Sequence, residues 1–405
     1  MAATPAPFDS SAPGPPAALG ATAGRTRLES VDILRGAVMA LMALDHFRTW
    51  FTTTGLTDPT DLSTTTVPLF LTRWITHFCA PVFVFLAGTG AFLAGARGRS
   101  RSELAWLLLT RGLWLVALEI LVTGHLAYFS ADVHAYPAGV IWAIGWSMVV
   151  LAGLVYLPLP WIAAVGLLMI AGHNLLDAIR PEDTGRFAAL WSILHVRGDA
   201  ALPGGITLVV YYPLIPWIGV MAAGYCFGAL LSRPPAARRQ WCLGLGIGCT
   251  LLFVVLRLAN AYGDPLPWSS QKSAAFTALS FLNCTKYPPS LPYLLMTLGP
   301  AIAVLPLLER GPGAARRFLV AFGRVPLFFY VAHLVLLYAA GTAHFALRYH
   351  RWLGNVRATG FPDGYGYSLP VGYLITLAAL LVLYPVCRWY GGVKRRSASR
   401  WLTYL

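Results

Sequence analysis

The sequence predicts an all-α fold: a polytopic integral membrane protein of about ten transmembrane helices, both termini cytoplasmic. Three observations carry that expectation. Of 405 residues, 57% are hydrophobic and 11% are charged, whereas a soluble domain carries about 25% charge. Apolar runs long enough to cross a hydrocarbon core of about 30 Å recur along nearly the whole chain. Lys and Arg concentrate in alternate connections. The net charge of +14 and the pI of 9.8 follow from that concentration. In a soluble chain they would point to nucleic acid; here the positive-inside bias accounts for them, so the expected partner is the lipid bilayer and not nucleic acid.

Residues 1–24 are rich in Ala, Pro, Ser and Gly and read as a disordered tail. They lack the charged start and apolar run of a signal peptide, so insertion falls to the first helix. The transmembrane domain covers 25–393 and a basic cytoplasmic tail covers 394–405. The first helix runs from about Ser30 to Phe51 and the second from about Pro68 to Ala94, bent at Pro81, with Gly88 and Gly90 allowing close backbone approach. The third covers about Glu103 to Phe129, the fourth Pro137 to Tyr156, and the fifth ends near Leu176 after a turn at Pro158 and Pro160. Asn174 to Ile206 is too charged to span. The remaining helices are expected at about Thr207 to Leu231, broken or bent at Pro213 and Pro216, then Trp241 to Tyr262, Leu291 to Leu308, Phe318 to Leu347 and Leu369 to Trp389. No internal repeat of the transporter kind is visible.

With the N-terminus inside, fifteen Lys and Arg residues fall in inner connections and tails and eight in outer ones. The inner set includes Arg25, Arg27, Arg97, Arg99, Arg101, Arg310 and Arg400; the outer set includes Arg197, Lys286, Arg351 and Arg357.

The stretch RTRLESVDILRGAVMALMALDHFRTW, Arg25 to Trp50, is the centre of the functional reading. It is apolar enough to span yet holds Asp32, Arg35, Asp45 and His46, and ionisable residues at membrane depth mark function by default. Arg35 and His46 are eleven positions apart, about three turns, so they share one helix face about 16 Å apart along the axis. Asp45 points about 100° away from His46 and is expected to engage another helix or a substrate. Arg73 and His77 lie four apart on one face of the second helix. The topology puts His46, His77, Glu119 and His333 at similar depth, where pairing around a wet cavity is the economical arrangement. Against this, a lone helical His is more often a packing residue; that reading is given to His173 and, by default, to His125 and His344. Arg111 and Glu119 can form a structural ion pair, and His134, His195 and His350 lie in loops where solvent can serve them.

Six cysteines are scattered without C-x-x-C spacing, which argues against a disulfide framework or a zinc site. No H-E-x-x-H, G-x-S-x-G or P-loop pattern occurs, so no metal is predicted and hydrolase and nucleotide-triphosphate readings lack support.

Those residues also carry a resemblance. RLESVDILRG, with the run closing on Leu44-Asp45-His46, resembles the opening helix of the heparan-alpha-glucosaminide N-acetyltransferase-like membrane family. RWITHFCAPVFVFLAGTGAFL, TRGLWLVALE and FGRVPLFFYVAHLVLLY are similar to later helices of that family. The likeness is dense from Arg27 to Glu119 and thinner beyond. The Arg35-to-His46 spacing also resembles the Arg-ten-His motif of the related acyltransferase family three, which acylates cell-surface glycans. Lysosomal animal members carry Asn at the position of His46 and place their functional His in the first lumenal loop; this chain has no His between Phe47 and Thr76, so the role falls to His46.

The resemblance implies an acyltransferase of a bacterial plasma membrane, modifying cell-envelope glycan. It would move an acetyl or other acyl group from cytoplasmic acyl-CoA, with acetyl-CoA the default donor, to a glycan or lipid-linked acceptor. Arg35, Arg97, Arg99, Arg101 and Arg111 are the candidate anchors for the donor's phosphates. The pantetheine arm can then run along the first helix to His46, acting as general base or as acyl carrier. Arg73 or His77 can stabilise the oxyanion, and Asp45 completes the set. The alternative is a transporter or exporter using the buried His, Arg and Glu as a proton relay; a purely structural or sensory protein is a third reading.

Overall fold

In the computed structural model the first helix, α1 (Glu29–Phe51), forms as expected, one residue earlier at its start. The structure describes residues 28–55, 57–129, 132–309, 313–350, 361–362 and 364–397. The expected tail 1–24, the cations Arg25, Arg27, Arg310, Arg351, Arg357 and Arg400, and the end of the basic C-terminal tail lie outside the described residues.

The expected second helix is two helices, α2 (Val67–Thr76) and α3 (Cys79–Gly95). Thr66 caps α2 by accepting the Leu69 N–H, with Pro68 in the first turn. The break falls at His77 and Phe78, not at Pro81 itself. A proline has no N–H and its ring crowds the carbonyl four residues earlier; here that carbonyl belongs to His77. It is satisfied instead by the Tyr293 hydroxyl, which donates to it at 2.8 Å. Next, α4 (Arg101–Leu118) opens on a Ser100–Glu103 capping box. It passes into a π-helical turn at Glu119–Thr123 and then α5 (Gly124–Tyr128), so the expected third helix is continuous in length but not in winding.

The all-α expectation needs correction. Strands β1 (Ala135–Ala138), β2 (Gly198–Leu202) and β3 (Ile206–Val210) form a small sheet in the order β1-β3-β2. β1 runs parallel to β3, with Ala135 opposite Thr207; β2 runs antiparallel to it, with Leu202 opposite Ile206. Gly204 and Gly205, both at positive φ, turn β2 into β3. The expected fourth and sixth helices therefore begin later, as α6 (Val140–Leu154) and α9 (Leu214–Leu231). Ile206-Thr-Leu-Val-Val is rich in β-branched residues. Of the two outcomes expected at Pro213, a break or a bend, the break is found: a proline holds the residue before it out of the helical region, and Pro213 caps α9.

Between them lie α7 (Leu159–Gly172), continued by a 3-10 turn His173–Leu176, and the short α8 (Ala188–Leu194). The charged segment Asn174 to Ile206 does not span, as expected, but it is folded. The chain continues through α10 (Pro235–Ala259), α11 (Ala274–Leu282) within the connection that follows it, and α12 (Leu291–Val304). The expected ninth helix is split into α13 (Ala314–Gly323) and α14 (Pro326–Tyr349), because Pro326 forces Val325 out of helical geometry. The last is α15 (Leu369–Arg396).

Among the described residues seven helices are long and apolar enough to cross a membrane: Val67–Gly95, Arg101–Tyr128, Leu159–Leu176, Leu214–Leu231, Pro235–Ala259, Pro326–Tyr349 and Leu369–Arg396. The other three of the expected ten fall short for two reasons. α1 carries Glu29, Asp32, Arg35, Asp45 and Arg48. α6 and α12 are apolar but only 15 and 14 residues long.

α1 packs against α2, α3, α13, α14 and α15. Its crossing with α13 is backbone on backbone: a Cβ on Gly36 would strike the Leu319 carbonyl, and one on Gly323 the Asp32 carbonyl. Gly88 serves the α3–α9 crossing as its sequence position suggested, lying against the Met221 carbonyl; Gly90 does not, having only the Arg35 side chain near it. Gly88→Leu should therefore destabilise the bundle by about 1–3 kcal/mol or more, since the blocking atoms are backbone. Gly90→Ala should leave it within about 0.5 kcal/mol. Thermal unfolding of the two variants in one detergent checks the contrast.

Candidate active site

Two cavities lie along α1, one after the other. The inner one, of 270 Å³, is walled by Met39, Met42, Leu86, Leu108 and Leu115, with Arg35 and Arg111 as its charged groups. The outer one, of 800 Å³, is polar and takes in Asp45, His46, Arg48, Arg73, His77, Glu119, Tyr128, Lys286 and Tyr287. Val140 and Tyr330 line both, so the cavities meet there. On α1 the lining passes from Arg35 through Met39 and Met42 to Asp45 and His46, which is the shared face that the spacing indicated.

His46 sits just past the junction. Its Nδ1 is 2.8 Å from His333 Nε2, with the rings stacked at 5.1 Å. His333, fully buried on α14, places Nδ1 3.2 Å from the Phe329 carbonyl. A carbonyl only accepts, so His333 Nδ1 carries the proton and its Nε2 is the acceptor. His46 must then donate from Nδ1, which leaves its Nε2 with a lone pair. That nitrogen has no protein partner among the described residues and belongs to a ring lining the outer cavity. The tautomer follows from one carbonyl two links away.

Asp45 engages another helix, as expected: it pairs with Arg73 of α2, and with Arg48 one turn on at 3.3 Å. Arg73 is therefore a neutralised, fixed dipole more than a free cation. Arg48 was not singled out by the sequence reading, although it lies three residues after Asp45 on the same helix. It is 3% exposed and uses Nη2 on Asp45 and Thr49, while Nε and Nη1 have no partner among the described residues. His77, also 3% exposed, leaves Nδ1 without one. Glu119 does not pair with Arg111. Its carboxylate takes the Thr123 hydroxyl and the Gly139 N–H in the π-turn.

Arg35 has Asp32 at 3.6 Å and lies 3.4–3.5 Å from the Gly323 and Leu86 carbonyls, at the inner end of its cavity. Arg111 lines the same cavity. Arg97, Arg99 and Arg101 do not line either cavity; they are exposed on the connection just beyond Ala94, which does line the inner one. Arg101 reaches the Tyr156 carbonyl at 2.9 Å.

Residues from both outer loops complete the outer wall. Arg197 lies over Tyr211 and Tyr287, and Lys286 over Tyr287; Tyr128 and Tyr211 stack at 4.2 Å. Sequence spacing gave no pairing for these, though the charge count put them on the same side as His46. Burial raises the Tyr287 phenol, but Lys286 and Arg73 outweigh it and hold the group below the ordinary tyrosine range. The folded pKa is depressed, so any stability that this group adds appears above pH 10 and fades as pH falls through the folded value. Alkaline difference absorbance should show one phenolate forming ahead of the other tyrosines, and Tyr287→Phe should remove that early step. An unchanged titration would refute the assignment.

Residues 27–245 match the family model described as heparan-alpha-glucosaminide N-acetyltransferase, catalytic. Comparison with curated proteins gives no match.

Proposed function

The chain belongs to the heparan-alpha-glucosaminide N-acetyltransferase family, an integral membrane acetyltransferase family, and we propose that it transfers acetyl from acetyl-CoA to a glycan or lipid-linked acceptor, with His46 Nε2 as general base. The observation that supports this most is the position of His46: on the polar side of a junction between an apolar, guanidinium-ended cavity and a large wet one. The inner cavity suits a thin pantetheine arm, because its walls are mostly apolar, Met and Leu among them, with Arg35 and Arg111 as its charged groups. In this reading the charge bias of the connections makes the Arg35 end cytoplasmic. Arg35 and Arg111 hold the inner part of the donor by charge-assisted contacts, and the exposed Arg97, Arg99 and Arg101 meet its phosphates at the mouth.

The rise of about 16 Å from Arg35 to His46 then sets where the thioester stops. The acceptor hydroxyl or amine enters through the outer cavity. His46 Nε2 takes its proton as the acceptor oxygen or nitrogen bonds to the thioester carbon. The oxyanion that forms is met by the open N–H groups of Arg48 and by His77, with Arg73 held near by Asp45. Collapse breaks the carbon–sulfur bond, and the thiolate leaves with the proton from His46. His333 acts through His46 as a positioning residue, fixing its tautomer and ring plane. An acyl-His route uses the same Nε2 lone pair as nucleophile.

In purified protein supplied with labelled acetyl-CoA, His46→Ala should lower acetyl transfer or thioester turnover by about 10²–10⁴-fold, with detergent stability retained. His333→Phe should lower kcat by about 10²-fold or more while leaving the KM for acetyl-CoA near wild type, since it touches neither substrate. Arg111→Ala should do the reverse, raising that KM first. Near-wild-type turnover by His46→Ala would defeat the proposal.

A further inference from the structure

Outside both cavities, the structure brings together His173, Asp177 and His195, and one potential ligand atom from each lies within 4.8 Å of the others. We propose that these three side chains form a binding site for a divalent transition-metal ion of the zinc type. His173 begins the 3-10 turn after α7, Asp177 ends it, and His195 follows α8. His195 Nε2 is 3.1 Å from Asp177 Oδ1. Ligands of a tetrahedral zinc site, with bonds near 2.05 Å, stand about 3.3 Å apart. Two of the three are thus at coordinating separation already, and the third needs side-chain movement on the order of 1 Å.

The second observation is unsatisfied buried nitrogen. Both histidines are 1% exposed. His173 Nδ1 and Nε2, and His195 Nδ1, have no hydrogen-bond partner among the described residues. Buried polar atoms are otherwise paired, so three orphans in one cluster call for an occupant. The surroundings suit a metal. The Pro289 carbonyl lies beside the His173 ring without completed hydrogen-bond geometry, the usual outer partner of a ligating imidazole. Asn174 Nδ2 donates to Asp177 Oδ2 at 2.9 Å, orienting the carboxylate and leaving Oδ1 for the ion. The Asp177 side chain is 23% exposed, which supplies an entry path.

Two imidazoles and one carboxylate are ligands for a borderline ion, not for calcium or magnesium. Three protein ligands leave a fourth position for water. Binding would displace the proton between His195 and Asp177. It would tie the end of α7 to the entry of β2, two residues before Arg197 of the outer cavity wall, and set both against the loop carrying Lys286 and Tyr287. The sequence expectation of no metal rested on familiar ligand motifs; His173-x-x-x-Asp177 is present in the sequence, but His195 joins it only through the fold.

The test uses full-length protein with its purification tag removed, stripped with chelator and titrated with zinc chloride by calorimetry. One zinc per chain is expected, with a rise in unfolding temperature in the same detergent. Asp177→Asn keeps the neutral hydrogen bonds but removes the anionic ligand, and should weaken zinc by about ten-fold or more. His173→Phe keeps the packing volume and should weaken it at least as much. Cobalt(II) bound to wild type should give the intense visible bands of a four-coordinate N/O site, which locates the ion chemically if a variant fails to fold. No stoichiometric binding by wild type, or unchanged affinity in a folded Asp177→Asn protein, would overturn the site and leave a solvent-served ion pair in its place.

Discussion

The constraint behind this architecture is that α1 carries charge inside the bundle, where burial penalises it. The acidic side chains on that helix are each met by a cation from another element, and Arg35 and Arg48 pair with Asp32 and Asp45 on the helix itself. At the inner end Glu29 meets Arg316 and, at 3.0 Å, Arg324, while Asp32 lies between Arg35 and Arg324. Towards the outer end Asp45 is shared by Arg48 and Arg73. Such pairs add little net stability, but removing one partner leaves an uncompensated buried charge at a cost of about 3–5 kcal/mol. Their effect is therefore on specificity of assembly. α1 can dock only where α13 brings cations to its inner end and α2 brings Arg73 to its outer end. The apolar middle, Val38, Met39 and Met42, places no such demand, and Met39 and Met42 line the inner cavity.

The same constraint explains the two histidines. Rings linked at 2.8 Å through nitrogen need one proton between them; a second there would set two N–H groups against each other and leave one ring cationic without a counter-ion. The pair is stable as two neutral imidazoles with one proton order, fixed at the Phe329 carbonyl. A neutral base can thus sit deep in the protein without a counter-ion of its own. Asp45, next in sequence, is turned away and consumed by arginines, so it does not compete for the His46 ring.

Much of this was legible because helical periodicity is local. Arg35 and His46 share a face by count alone, and Pro81 announces a break four residues upstream. The depth argument correctly gathered His46, His77 and Glu119 around one cavity, with His333 behind. What escaped needed long-range information. The π-turn at Glu119–Thr123 changes winding without changing composition. The strands are only four and five residues long and stand against helices, so β-branching in Ile206–Val210 is outweighed by the apolar run that continues into α9. His195 looked solvated because it falls in a connection too charged to span; it is buried against the end of α7, a different part of the chain. Arg97, Arg99 and Arg101 carry the charge expected of a donor site, yet the inner cavity is lined by Arg35 and Arg111. A basic loop and a lined pocket look alike in sequence.

The contrast between the cavities bears on why they are separate. A thioester is stable in an apolar slot and hydrolysed in a wet one when a base is near. Tyr330 and Val140 border both spaces; in the proposed reaction the donor carbonyl reaches His46 there while the arm behind it fills the passage. An occupied inner cavity then excludes water from the inner side, and an acceptor in the outer cavity displaces water from the other. In the proposed reaction, His46 with only one substrate present would face solvent on one side and activate water slowly; with both, the base would have a single proton to take. Helix α1 serves this by geometry: three turns between cation and imidazole set the distance, and the residues between them keep the path dry.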